Sequence, residues 1–143
     1  MARRARVKTE GNAAWYHLYA RAAGFGGEMP FNRRGVREKL IEVVKHYAGA
    51  YFCEVSAFCI MGNHYHLVVK FEEPRKLSRE ELKERAERIY PRENKLTENW
   101  MAYEWKRFEK RLFDMSEFMR NIQMHFARWY NRRFRRKGRF WAD

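Results

Sequence analysis

Met61-Gly62-Asn63-His64-Tyr65-His66-Leu67-Val68-Val69-Lys70 is the stretch from which the rest of the chain can be laid out. Val55 to Ile60 before it and Tyr65 to Phe71 after it are apolar and β-branched or aromatic, as strands require. Gly62-Asn63 between them predicts a tight turn built on residues that tolerate positive φ. Successive side chains of a strand point to opposite faces. His64, His66 and Val68 therefore share one face, and Tyr65, Leu67 and Val69 share the other. Two imidazoles projecting together from a rigid ribbon are a candidate divalent-metal site, because neutral imidazole is a common ligand.

Upstream, Trp15 to Ala22 reads as a first strand, and the glycines that follow end it. Gly35 to Ala48 has Val36, Leu40, Val43, Val44 and Tyr47 at helical spacing, with charged residues around the remainder. Tyr51 to Ile60 is the next strand and forms a hairpin with the His-x-His strand. Strand, helix, strand, strand opens a ferredoxin-like α+β sandwich with the hairpin near the centre of an antiparallel sheet. Cys53 and Cys59 stand an even number of residues apart on one predicted strand, so they are expected to share a face as buried thiols. An extended strand holds them too far apart for a disulfide. A zinc site of Cys53, Cys59, His64 and His66 fits no familiar ligand spacing.

From Pro74 the composition shifts. Ser78 with Glu80 and Glu81 after it predicts a capped helix to about Tyr90, before Pro91. Asn94 to Phe113, rich in aromatics, predicts a second, and residues 74–113 read as an inserted helical pair. Ser116 is expected to cap a last helix to about Phe134, with Phe118, Met119, Ile122, Phe126, Trp129 and Tyr130 as its apolar stripe.

The 143 residues make one domain, long enough to bury a core. No run is apolar enough to span a bilayer and no signal-peptide core follows the basic start, so a cytoplasmic protein without membrane contact is expected. The formal charge of +13 makes a polyanion the default partner. Glu72 to Asp114 holds 11 of the 18 acidic residues, and Phe118 through Ala142 holds none. The acid-free stretch carries Arg120, Arg128, Arg132, Arg133, Arg135, Arg136, Lys137 and Arg139 among aromatics, and Arg3, Arg4 and Arg6 form a basic arm within residues 1–12. Cations interleaved with aromatics suit phosphate neutralisation and base stacking, with Trp129 and Trp141 as stacking candidates. His17, His46 and His125 have no partner visible in the sequence.

Met61-Gly62-Asn63-His64-Tyr65-His66-Leu67-Val68-Val69 resembles the HUH signature of single-strand DNA transposases. It is closest in form to the REP-associated tyrosine transposase branch, with Gly62 in place of the usual proline. Tyr16-His17 is similar to the family's first strand. Ser116 to Met119 and Ala127 to Arg133 resemble its post-signature helix, and Gly138 to Trp141 its glycine and tryptophan turn. The resemblance implies binding of single-stranded or hairpin DNA and metal-dependent strand cleavage and transfer (an endonuclease step within transposition), with His64 and His66 holding Mg²⁺ or Mn²⁺. A tyrosine hydroxyl would attack phosphorus, giving a 5′-phosphotyrosine and a free 3′-hydroxyl. The family's catalytic tyrosine lies on a helix after the glycine and tryptophan turn, so the resemblance implies a catalytic helix beyond Asp143. Tyr130 is the candidate within the chain, although its place in the apolar stripe favours a structural role. A non-catalytic single-stranded DNA or RNA binding module on the same scaffold is the alternative. Relatives include monomers and dimers, which leaves a homodimer open.

Overall fold

The computed structural model describes residues 7–8, 11–24, 27–91 and 95–142. Three strands, β1 (Ala14–Arg21), β2 (Cys53–Ile60) and β3 (His64–Phe71), form an antiparallel sheet in the order β1-β3-β2. The His-x-His strand is thus central and β2 lies at an edge. Beyond the end of β1, an isolated antiparallel bridge joins Ala22 to Trp141, on the β1 side of the sheet. The helices are α1 (Val36–Ala50), α2 (Arg79–Ile89), α3 (Ala102–Arg111) and α4 (Met115–Arg133). This is the expected α+β arrangement with a helical pair between β3 and α4.

One face of the sheet carries the core. Leu18 and Ala20 of β1 and Tyr65, Leu67, Val69 and Phe71 of β3 are buried against the helical layer. Phe71 meets Phe118 of α4 edge to face, Tyr65 meets Trp141, and Tyr65 Oη reaches Met119 Sδ at 3.9 Å. Along α4 the buried residues are Met115, Phe118, Met119, Ile122, Phe126 and Tyr130, with Trp129 half-buried at the margin. The cap of this helix is Asp114, whose carboxylate accepts the Ser116 N–H at 2.8 Å, rather than Ser116 itself. Lys8 pairs with the same carboxylate at 3.0 Å.

The first of the two helices between β3 and α4 is anchored by charge at a helix end. Arg85 donates to the carbonyls of Gly49 and Ala50 at 2.8 and 3.2 Å, and Arg88 donates to Gly49 at 2.6 Å. Two cations therefore satisfy the open C-terminus of α1, where the helix dipole is negative. Ser78 is the expected N-cap of α2, and Glu81 completes it as a capping box, a contribution of about 1 kcal/mol. The second helix is shorter than the sequence suggested, starting only at Ala102. Tyr90, Trp100, Trp105 and Phe108 pack on one another and hold the preceding segment in turns.

A register shift between Val55 and Ala57 puts a bulge in β2. Cys53 pairs with Phe71 on the core face, whereas Cys59 pairs with His66 on the opposite face. The cysteines therefore do not share a face, because one extra residue inverts the alternation after it. Only Cys53 is sheltered, its thiol pushed up to about 12 chiefly by burial, with Glu72 adding to the effect; Cys59 is exposed. The hairpin turn also differs from expectation, since neither Gly62 nor Asn63 takes a positive φ. A Cβ at Gly62 would lie 2.9 Å from Met29 Sδ, so the exposed Met29 side chain would have to move aside, and the Gly62 carbonyl accepts the Phe31 N–H.

Candidate nucleic-acid and metal site

The other face of the sheet is open. Strand alternation, which buries Leu18 and Ala20, turns Trp15, His17, Tyr19 and Arg21 of β1 outward. On β3 it turns out His64, His66, Val68 and Lys70. Trp15 is 57% exposed and Tyr19 45%, high values for large aromatics on a sheet, and Lys70 sits 5.8 Å from the Trp15 ring centre. Aromatics and cations alternating on a flat ribbon can take bases by stacking and phosphates by charge.

At the middle of this face lie three imidazoles. His64 and His66 project on the same side, as expected, with ring centres 5.3 Å apart and planes nearly perpendicular. His64 Nδ1 lies 2.8 Å from Asn63 Oδ1, so the turn residue before the motif also fixes the first ring. His66 Nδ1 lies 2.8 Å from His17 Nε2 of β1, and those two rings lie edge to edge and nearly coplanar, with centres 5.0 Å apart. Tyr19 pairs with His66 across the strands and packs beside both rings of the motif, at 5.0 Å and 5.6 Å. Loss of hydration, with His17 and His64 as further causes, lowers the His66 pKa and favours the neutral ring a metal ligand must be. Among the described residues, no three His, Cys, Asp or Glu side chains converge as a metal cage. The protein thus offers two nitrogen donors, which fits an ion completing its shell with water and phosphate oxygens. Nitrogen donors suit Mn²⁺ better than Mg²⁺, which prefers oxygen.

Of the remaining candidates, those on α4 lie across the sheet from this face, because α4 packs on the core side. Arg128, Arg132, Arg135 and Lys137 are exposed. Arg120 pairs with Glu117 at 3.5 Å, and Arg133 lies over Phe134. Arg136 is half-buried and donates to Asn131 Oδ1 and to the Arg139 carbonyl, so it holds the glycine turn together. Arg139 is exposed at that turn. Trp141 is buried, its indole N–H donating to the Gln123 carbonyl at 2.8 Å, which removes it as a stacking surface. Tyr130 is 1% exposed and its hydroxyl is buried without a hydrogen-bond partner among the described residues, with burial raising its pKa. Arg3, Arg4 and Arg6 lie outside the described residues. Trp15, Tyr19, Arg21 and Lys70 were not singled out from the sequence, although the alternation of β1 would have grouped the first three with His17.

The family model described as "Transposase IS200 like" matches residues 28–108, more than half of the chain. The chain belongs to the IS200-like transposase family. The matched span contains the whole His-x-His hairpin and also α2 and most of α3. No curated protein matches this IS200-like chain. A solved structure described as "Structure of the REP associates tyrosine transposase bound to a REP hairpin" is similar in fold, with a TM-score of 0.55 at 11% identity. The similarity covers 99% of this chain and 58% of that one, so the IS200-like chain spans little more than half the length of its structural relative.

Proposed function

We propose that this chain binds single-stranded or hairpin DNA across the open face of its sheet and serves metal-dependent strand cleavage and transfer there. The observation that carries the reading is the pair His64 and His66. Both rings are fixed through Nδ1, on an exposed face of aromatics and cations, in a chain of the IS200-like family. Trp15 and Tyr19 stack bases, while Arg21 and Lys70 meet phosphates. His64 and His66 hold Mn²⁺ or Mg²⁺. When bound, the ion supplies polarisation of a non-bridging phosphate oxygen. Cleavage forms a bond from a tyrosine oxygen to phosphorus and breaks the bond to the 3′-oxygen, which leaves as a 3′-hydroxyl after taking up a proton. Of the eight tyrosines, Tyr19 is the one whose ring lies beside the His pair. Among the described residues, a nucleophile beside the His pair would be Tyr19.

The test uses a fluorescent hairpin with a single-stranded flank. Trp15→Ala and Tyr19→Ala should each weaken binding about 10-fold, in line with roughly 1–3 kcal/mol per stacked base. His64→Ala with His66→Ala should leave most of the affinity but abolish any Mn²⁺-dependent covalent protein–DNA adduct. Unchanged affinity in both aromatic variants would move the interface off the open face. Tight binding with no adduct at any metal concentration would favour a non-catalytic binding module, the second reading, which the burial of Tyr130 supports.

A further inference from the structure

His17 lies on a different strand from the motif, yet its Nε2 is 2.8 Å from His66 Nδ1. Two neutral imidazoles can share such a contact in two ways, and the choice decides what His66 can bind. If His17 Nε2–H donates, the His66 proton sits on Nε2 and neither of its nitrogens has a free lone pair. If His66 Nδ1–H donates, the proton is on Nδ1 and the Nε2 lone pair is free. His64 shows which arrangement the site is built around. Its Nδ1 meets Asn63 Oδ1, an acceptor without a proton, so His64 carries its own proton on Nδ1 and keeps Nε2 open. The two rings are thus engaged through the same nitrogen by two different partners.

We propose that His17 accepts the hydrogen bond from His66 Nδ1–H and acts as a positioning residue, holding His66 in the form whose Nε2 lone pair is free beside that of His64. The proposal rests on the reading that His64 and His66 bind the ion, and adds a residue that sets the tautomer and orientation of one of them. Hydrogen-bonded partners of this kind behind ligating histidines are worth about 10–100-fold in metal affinity. His17 is exposed, so its replacement removes the hydrogen bond without opening a cavity in the core. The two ring planes are 17° apart, the near-coplanar alignment that an N–H···N hydrogen bond in the plane of both rings needs.

The experiment compares wild type, His17→Ala, His17→Gln and the His64→Ala, His66→Ala double variant, each with DNA absent. Imidazole ¹⁵N shifts of the metal-free protein should show His66 protonated on Nδ1 in wild type and shifted toward the Nε2–H form in His17→Ala. Mn²⁺ affinity by calorimetry should fall about 10–100-fold in His17→Ala. It should recover largely in His17→Gln, whose side-chain oxygen can accept the same hydrogen bond. A wild-type His66 protonated on Nε2, or a His17→Ala that binds Mn²⁺ as tightly as wild type, would overturn the proposal. If the double variant still loses Mn²⁺ in that case, the metal reading stands without His17. If wild type binds no Mn²⁺ while His66 carries its proton on Nδ1 only when His17 is present, the metal reading fails and the positioning role holds.

Discussion

The two faces of β3 show how one strand divides its work. Tyr65, Leu67, Val69 and Phe71, facing the helices, are each no more than 2% exposed. Between them His64, His66, Val68 and Lys70 look out on a face that no helix of the described residues covers. On the covered face a side chain is chosen for volume and fit, and neighbours such as Phe118, Met119 and Trp141 fix its position. On the open face it is chosen for what it presents, and order comes from contacts along the surface: Asn63 to His64, His17 to His66, Tyr19 against both. Stability and recognition can therefore be altered separately.

Phe126→Ala tests the division most severely. Phe126 is fully buried among Phe31, Tyr130, Phe140 and Trp141, and its removal should cost about 3–5 kcal/mol in urea unfolding. Trp15→Ala, on the open face, should leave the urea midpoint nearly where it was. Comparable losses from both would show that the open face is structural after all.

Salt dependence sharpens the comparison by locating the phosphates. Replacing Arg21 and Lys70 by alanine should flatten the slope of log affinity against log salt for single strands by about one to two units, at roughly 0.7 per phosphate contact. Replacing Arg128 and Arg132 on α4 should change it less, since cations across the sheet act through long-range attraction. The reverse ranking would return the interface to the last helix.

The smallest effect concerns pH. His125, between α4 and α1, lies 3.1 Å from the Tyr47 hydroxyl, and burial is the first cause of its lowered pKa. Lys39, His46 and Arg128 lower it further, and Glu42 opposes them. Above the unfolded value of about 6.5 the ring is neutral in both states. Below it the unfolded chain takes up a proton that the folded one resists, so stability should fall as pH drops from 6.5 toward the folded pKa. His125→Gln should reduce that loss, read as a smaller shift of the thermal midpoint between pH 7 and pH 5. The lowered pKa of His66 acts in the same direction and would remain.

Much of this was legible in the chain. The alternation of Tyr65-His66-Leu67-Val68-Val69 separated core from site, because one strand's pattern needs no knowledge of its neighbours. Ser78 and Glu81 announced α2 through local spacing. What escaped needed register. His17 had no visible partner because its contact depends on how β1 slides along β3, where it pairs with Val68 and reaches His66 diagonally. The bulge at Ser56 left no trace in periodicity, so Cys59 was assigned to the wrong face. Asp114 and Ser116 are both good caps two residues apart, and only the backbone geometry chooses between them. The arginines of α4 were read correctly as a cationic run, but a linear sequence does not say on which side of the sheet its helix will lie.

The bulge in β2 has a further effect on how copies of this chain meet. Among the described residues β2 is an edge strand, with one row of backbone N–H and C=O groups not paired within the sheet. A long flat edge of this kind is a template on which another molecule's strand can grow, the first step of an uncontrolled fibre. Ser56 interrupts the ladder in mid-strand, its hydroxyl donating to the Val68 carbonyl at 3.2 Å. The regular stretch on either side is left only a few residues long, which gives a basic, aromatic-rich chain protection against self-assembly along that edge.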